Sequence, residues 1–189
     1  MLVVFFMRLV FFAAAIAVLG HATTPYQQLV ERLRTARAIE CRARTASGES
    51  VRILAARGGK LRLESPQRTI VSNGSVVWNY VPAQKTVTIS SYAPGSGATF
   101  DRIAFELLDQ YQPVEESISH VTVRPRSEPL YGVRSITLEF RRSSLRALTV
   151  DHISGTERWQ IQSLRFDPQL SQASFEFTVP PNVEVMDIR

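Results

Sequence analysis

The sequence predicts an α+β protein in which a strongly curved antiparallel sheet carries two helices. Apolar and polar residues alternate along most of the chain, as in strands that bury one face. The turns between these runs are short and rich in Gly, Pro, Asn and Ser, which is typical of antiparallel hairpins. Two segments instead repeat apolar residues at helical spacing. We count about ten strands, and a sheet of this size curls into a barrel or an incomplete, half-open barrel.

Residues 1–22 are predicted to be a signal peptide that is removed on export. Arg8 precedes an apolar run that ends at the small residues Gly20 and Ala22, and this order of charged, apolar and small residues is typical of such peptides. The start is Met1 or Met7, because the segment after Met7 forms a complete signal peptide. An uncleaved anchor is the alternative, although Arg8 makes the stretch a poor membrane span. Residues 23–189 then form a single domain.

Two helices are predicted, one near the beginning of that domain and one in its middle. Thr24 can cap the first helix, Pro25 suits its first turn, and Gln27 completes a capping box. Residues 100–111 repeat apolar side chains at helical spacing, and Pro113 is expected to end this second helix. Each helix has an apolar stripe, which we expect to cover the open side of the curved sheet.

The strands are predicted from alternation and from the turns between them. Runs 39–45 and 50–56 are joined by a turn at Ser47-Gly48, and Asn73-Gly74 lies between the next two runs as a strong hairpin signal. The later alternating runs are 87–89, 121–123, 136–140, 148–150, 159–161 and 175–179.

The sequence contains no recognisable catalytic or metal-binding constellation. His152 follows Asp151, but neighbours along a strand point to opposite faces and cannot pair directly. Metal-ligand spacings, a Gly-x-Ser-x-Gly motif and a phosphate-binding loop are all missing. The net charge of +5 comes from scattered arginines rather than a basic stripe. We therefore expect a binding protein without cofactor, metal or nucleic acid, and not an enzyme.

Cys41 is the single cysteine of the chain, so an internal disulfide is impossible. It lies far beyond the predicted signal peptide, which argues against lipidation. We expect a small buried thiol.

Apolar side chains are the strongest candidates for a function. Trp78, Tyr80, Trp159, Phe175 and Phe177 all lie on alternating runs. Barrels of this size are either packed solid or hold a ligand, and the pattern leaves both interpretations open.

Two separated segments resemble the LolA family of periplasmic outer-membrane lipoprotein carriers. The first reads KLRLESP at 60–66, IVSNG at 70–74 and VWNYVP at 77–82, and the second reads FEFTVPPNVEVMD at 175–187. The order of signal peptide, helix, strands, mid-chain helix and strands is also similar to the family's, so the resemblance covers the whole exported chain.

The family resemblance implies a half-open barrel whose two helices form a lid over an apolar cavity. It implies a monomeric periplasmic chaperone that takes the acyl chains of lipoproteins from an inner-membrane ABC transporter. The cargo then passes to LolB, an outer-membrane receptor of the same fold. Thr23 follows the predicted cleavage site where the receptor would carry a lipidated Cys, which favours the carrier.

Specific residues are implied by the same resemblance. Arg57 takes the place of the family's arginine that tethers the closed lid, although Gly58 replaces the proline found beside it. The implied acyl-chain cavity is lined by Leu29, Leu33, Leu61, Leu63, Trp78, Tyr80, Val87, Ile89, Ile103 and Leu107.

Two other functions are compatible with this fold. A LolA-fold paralogue could bind or sense a different lipid or amphiphile in the periplasm. A hydrolase of lipid-linked substrates is the third interpretation, since a fold does not fix a function, but the sequence offers no nucleophile with a base beside it.

Overall fold

The computed structural model describes residues 23–92, 105, 110–128 and 132–189, and most of them belong to one large sheet. The helix α1 spans Pro25–Thr35, and two short 3₁₀ helices span Pro82–Gln84 and Gln172–Phe175. The strands are β1 (Ala38–Thr45), β2 (Ser50–Ala56), β3 (Lys60–Glu64), β4 (Thr69–Asn73), β5 (Val76–Val81), β6 (Thr86–Ser91), β7 (Tyr111–Glu116), β8 (His120–Pro125), β9 (Val133–Arg141), β10 (Ser144–His152), β11 (Gly155–Phe166) and β12 (Glu184–Asp187).

The twelve strands lie in the order β12-β6-β5-β4-β3-β2-β1-β11-β10-β9-β8-β7. All neighbours are antiparallel except β12, which runs parallel to β6. Two meanders, β1 to β6 and β7 to β11, are therefore joined along the pairing of β1 with β11. The sheet is not closed, and β12 and β7 form its two edges.

The first helix begins as the sequence predicts. The Thr24 hydroxyl accepts a hydrogen bond from the Gln27 amide at 3.2 Å, and the Thr24 amide donates to the Gln27 side chain at 3.0 Å. This capping box satisfies two backbone N–H groups that have no partner inside the helix. Tyr26, Leu29 and Leu33 are buried at helical spacing, so α1 lies with one apolar stripe on the sheet.

The main core lies between α1 and one face of the sheet, which we call the inner face. It includes Ile39, Cys41 and Ala43 of β1, each of which is nearly inaccessible to water. Because successive side chains alternate, the intervening residues of β1 point to the opposite, outer face. Residues of β2, β8 and β9 extend the inner core, among them Ile53, Val123, Ile136 and Leu138.

A second, smaller apolar layer lies on the outer face of β3 to β6. Val71 and Val87 are fully buried there, and Phe175 is also buried. The ring of Phe177 lies 5.8 Å from that of Tyr80. The segment that follows β11 therefore crosses the outer face and covers it.

The run 175–179 was predicted as a strand, and this prediction is wrong. Phe175 ends a 3₁₀ helix, and residues 176–180 belong to no strand. Phe177 and Val179 are nevertheless half-buried. Alternation reports that one side of an extended segment faces an apolar surface, and it does not require that the backbone pair in a ladder.

The expected end of the second helix at Pro113 is also wrong. Tyr111 begins β7, and Pro113 lies inside that strand. A proline is tolerated at a sheet edge because its missing N–H is not needed by a neighbour. Of the predicted helix 100–111, only residues 105, 110 and 111 are described, so the described part of the chain shows α1 but not a two-helix lid.

Residues 1–22 lie outside the described part, and the signal peptide and the single-domain boundary at 23 stay predictions. Within the described residues, no helix has the length and apolar character to cross a membrane.

Candidate functional site

A cavity of about 270 Å³ lies between α1 and the inner face of strands β9 to β11. Its volume is slightly below the range of about 300–1,000 Å³ found for small-molecule pockets. The apolar lining residues are Leu29, Phe140, Leu145, Leu164 and Phe166, and the polar ones are Gln28, Arg32, Ser143, Ser144, Arg146, Gln162 and Ser163.

Apolar side chains continue from this cavity along the inner face. Leu148, Val150 and Trp159 pack against the core but are only half-buried, as are Leu145 and Leu164 in the cavity itself. Leu148 lies opposite Trp159 in the register of β10 and β11, so these side chains share one face. The inner face therefore carries an apolar surface larger than the cavity alone.

Two β-bulges place polar residues at the cavity. The register of β10 against β9 shifts between Leu145 and Ala147 and leaves Arg146 unpaired. The register of β11 against β1 shifts opposite Arg42 and leaves Gln162 unpaired. Both extra residues line the cavity. A bulge changes the direction of side chains that regular alternation would send elsewhere. Here the adjacent strands β10 and β11 each have a bulge beside the cavity.

Arg32 of α1 lies over an apolar wall of the cavity. Its guanidinium carbon is 4.0 Å from the centroid of the Phe166 ring, which is a cation–π contact. The described lining residues include the two arginines Arg32 and Arg146 and no Asp or Glu. The lining of this cavity therefore carries a net positive charge.

Arg57 reaches the C-terminal end of α1 from the turn between β2 and β3. Its Nε donates to the Ala36 carbonyl at 3.0 Å, and its Nη2 donates to the carbonyls of Leu33, at 3.3 Å, and Arg34. The last carbonyls of a helix have no partner inside the helix and carry the negative end of its dipole. A guanidinium with several fixed donors satisfies them in one contact.

Arg57 also contacts the segment between β6 and β7. Its guanidinium carbon lies 5.1 Å from the centroid of the Phe105 ring, and Phe105 is buried in the main core. One side chain therefore connects α1, the β2–β3 turn and Phe105. This is the position that a tether between helix and sheet requires.

Four implied cavity residues lie between α1 and the inner face, in the main core or against it. Leu29, Leu33 and Leu61 are buried in the main core, and Leu63 is half-buried against it. Leu29 lines the cavity directly.

Four others lie on the outer face. Leu61 pairs with Ser72 and Ser72 with Val77, so the next residue, Trp78, points away from Leu61. In the pairing of β5 with β6, Trp78 lies opposite Ile89 and Tyr80 lies opposite Val87, so all four side chains share the outer face. Val87 is fully buried in the outer layer and Tyr80 contacts Phe177. The structure does not bring these side chains together with the cavity under α1. Ile103 and Leu107 lie outside the described residues.

Sequence reasoning missed the residues that line most of the cavity, including Arg32, Phe140 and Arg146. One signal was present in the sequence. The apolar residues Leu145 and Leu148 are three positions apart although Leu148 and Val150 are two apart. Such a step in the alternation indicates an extra residue, which the structure places at the β10 bulge.

Cys41 and Glu40 are buried titratable groups with structural roles. Burial raises the pKa of the Cys41 thiol to about 12, which suits the expected structural role. Glu40 is buried on the outer face, where it accepts hydrogen bonds from Arg52 and Arg165 at 3.0 Å each. Among the described residues, no group of His, Cys, Asp and Glu is arranged to hold a metal ion.

The fold occurs in a solved structure. An uncharacterised conserved protein from Thermus thermophilus has a TM-score of 0.51 over 86% of this chain and 98% of that chain, at 14% identity. At this identity the similarity shows the fold alone. No family model matches the sequence, and no curated protein matches it significantly.

Two further solved structures also match. A hypothetical protein from Chlamydia trachomatis has a TM-score of 0.34 and 9% identity over 76% of this chain and 94% of that chain. The Pseudomonas aeruginosa MucA/MucB complex has a TM-score of 0.32 and 15% identity over 82% of this chain and 60% of that chain. Similarities this weak support no conclusion about fold or function.

Proposed function

We propose that this protein is a periplasmic carrier of the LolA type, which binds lipoprotein acyl chains on the inner face under α1. The observation that carries the proposal is a cavity with an apolar wall beneath a helix whose end is held by Arg57, the residue that the resemblance implies as a tether. The proposed carrier uses no cofactor and catalyses no reaction. It receives cargo from an inner-membrane ABC transporter and delivers it to a receptor of the LolB type.

Acyl chains need such a cavity because they are costly to expose to water. Each methylene group contributes about 0.8 kcal/mol to membrane binding, so a triacylated anchor does not leave a bilayer unaided. A cavity of about 270 Å³ is smaller than three such chains require. Movement of α1 would open the half-buried row of Leu148, Val150 and Trp159 and enlarge the apolar surface.

A carrier must also release what it binds. The hydrogen bonds of Arg57 to the end of α1 are few and partly accessible to water. Hydrogen bonds of this kind contribute about 1 kcal/mol each. Opening of α1 would also expose Tyr26, Leu29 and Leu33, so the proposed cargo must replace the apolar contacts that this stripe loses.

The proposal is tested by filling the cavity. Leu145→Trp places a larger side chain in the cavity, and Val76→Trp, at a half-buried position of β5 on the outer face, is the matched control. Binding of a fluorescent triacylated lipopeptide is measured by titration, with thermal unfolding as a check that both variants fold. We expect Leu145→Trp to weaken binding at least about tenfold and Val76→Trp to bind as the original protein does.

Unchanged lipopeptide binding by a folded Leu145→Trp protein would contradict the site. A protein that binds no lipopeptide and accepts no lipoprotein from inner-membrane vesicles would contradict the carrier function itself. Mass spectrometry of what co-purifies with the protein from periplasm identifies the natural cargo.

The alternative of a paralogue for another lipid or amphiphile has one observation in its favour. The cavity rim carries Arg32 and Arg146, and neither acyl chains nor a neutral acylated cysteine needs a positive charge.

A further inference from the structure

We infer that the cavity under α1 binds a single-chain amphiphile with an anionic head group, a carboxylate or a phosphate, held by Arg32 and Arg146. The inference rests on the proposed function in that the same cavity receives the alkyl chain. It goes further by assigning the charge of the ligand, which the carrier function does not specify.

Several arginines of the outer face are neutralised by nearby carboxylates. Arg52, Arg158 and Arg165 all form ion pairs with glutamates. Neither Arg32 nor Arg146 forms an ion pair with any residue that the structure describes. The residues that line the cavity under α1 include both guanidinium groups and no carboxylate, whereas Glu139 lies at a second cavity that Arg146 also lines. The cavity under α1 is therefore an environment that favours an anion.

The position of Arg32 is suited to a head group. Its guanidinium stacks on the ring face of Phe166, which fixes the plane of the group. Stacking occupies the face of a guanidinium and leaves the N–H donors at its edge free. Carboxylates and phosphates accept two parallel hydrogen bonds from such an edge.

Arg146 borders the cavity from the sheet. It is the extra residue of the β10 bulge, and it lines the cavity together with Leu145. Arg32 on the helix and Arg146 on the sheet therefore border the same apolar space. A ligand that pairs with both would hold α1 against β10.

The volume of the cavity limits the number of alkyl chains that it can hold. Its volume of about 270 Å³ is below that of typical sites for drug-sized ligands. With α1 in its described position the cavity can take up at most part or all of a single alkyl chain, whereas a triacylated anchor requires α1 to move.

The charge preference is tested with four ligands that share a twelve-carbon chain. Dodecanoate, dodecyl phosphate, dodecyltrimethylammonium and dodecyl maltoside are titrated into the purified protein by calorimetry, below their micelle concentrations. We expect the two anions to bind at least about tenfold more tightly than the cation, and the preference to fall as salt rises. The tighter of the two anions identifies the head group as carboxylate or phosphate.

Arg146→Gln and Arg32→Gln are each expected to remove most of that preference, by about tenfold for each guanidinium. Arg44→Gln is the control, because Arg44 is an exposed arginine of β1 on the outer face. Circular dichroism establishes that each variant is folded. Two variants are needed because Arg32→Gln also removes the contact with Phe166. A loss of preference in Arg146→Gln cannot be caused by the loss of that contact.

Equal binding of the anions and the cation would overturn the inference, as would an unchanged preference in both variants. In either case, continued binding of dodecyl maltoside and of a triacylated lipopeptide would leave the carrier proposal standing. Failure of every ligand, including the lipopeptide, would instead overturn the proposed cavity and this inference together.

Discussion

At the scale of single residues, Arg57 has the clearest mechanical consequence. It accounts for three hydrogen bonds to the end of α1 and one contact with Phe105. Gly58 and Gly59 both adopt positive φ in the β2–β3 turn, a conformation that glycine adopts without strain.

Arg57→Leu is expected to loosen α1 without unfolding the sheet. Loss of the hydrogen bonds to the helix end should lower the free energy of unfolding by about 1–2 kcal/mol, and hydrogen exchange in α1 should accelerate. Under the proposed carrier function, the variant should accept lipoprotein cargo but fail to pass it to the receptor. Arg44→Leu, on the outer face, is the control. Normal transfer by Arg57→Leu would remove this residue from the mechanism.

Cys41 provides a second prediction at this scale. Burial raises the pKa of its thiol to about 12, so almost no thiolate is present in the folded protein near pH 8. Iodoacetamide should therefore leave Cys41 unmodified in buffer and alkylate it rapidly in concentrated urea, as intact mass spectrometry would show. Comparable rates in both conditions would mean that the thiol is accessible in the folded state.

At the scale of elements, the segment after β11 packs on the outer face of the sheet, as α1 packs on the inner face. It carries Phe175 and Phe177 across the outer face of β3 to β6. Arg62 of β3 donates to the carbonyls of Ser174 and Glu176, at 3.4 and 3.1 Å, and so fixes the backbone of this segment. The chain then adds β12 parallel to β6, which pairs the outer edge of that strand.

Phe175→Ala is expected to destabilise the protein by about 3 kcal/mol, because it leaves a void at a buried position. Phe177→Ala should cost less, since Phe177 is only half-buried. Guanidinium unfolding measures both. Lipid binding on the inner face should remain, because the segment lies on the opposite side of the sheet. Loss of lipid binding in a folded Phe175→Ala protein would show that the two faces are coupled.

At the scale of the whole molecule, Glu40 lies where the two meanders of the sheet meet. It belongs to β1 and pairs with Arg52 of β2 and Arg165 of β11. Burial alone raises the pKa of Glu40, but the hydrogen bond and charge of Arg52, together with the charges of Arg165 and Arg42, hold that pKa below its ordinary value. A hydrogen bond from Arg158 likewise lowers the pKa of Glu139 on β9.

These carboxylates predict a loss of stability in acid. A pKa that is lower in the folded than in the unfolded state, where it is about 4.3, stabilises the fold above that value. The contribution disappears as the pH falls through the folded-state pKa. Glu40→Gln should therefore lower the free energy of unfolding by about 2 kcal/mol at pH 7, allowing for partial exposure of the arginines.

The difference between Glu40→Gln and the original protein should shrink toward pH 3, as measured by urea unfolding at a series of pH values. Glu116→Gln, an exposed position on β7, is the control and should change neither the stability nor its pH dependence. A constant difference across this range would mean that Glu40 contributes through packing rather than charge.

The sequence by itself determined the features that depend on neighbouring residues. The capping box of Thr24 and Gln27, the amphipathic stripe of α1 and the hairpin at Asn73-Gly74 all follow from short-range chemistry. The burial of Cys41 followed from its residue type and its place on a strand. The resemblance directed attention to Arg57, which the structure places against the end of α1.

Only the tertiary structure decided which face each strand presents. Leu61 and Trp78 both looked like cavity residues, and the pairing of β3, β4 and β5 sends them to opposite sides. The cavity itself depends on the two bulges and on β1 pairing with β11, whose residues Glu40 and Arg165 are 125 positions apart. A strand's period of two is local, but the choice of face comes from distant partners, and a shift of one residue reverses it.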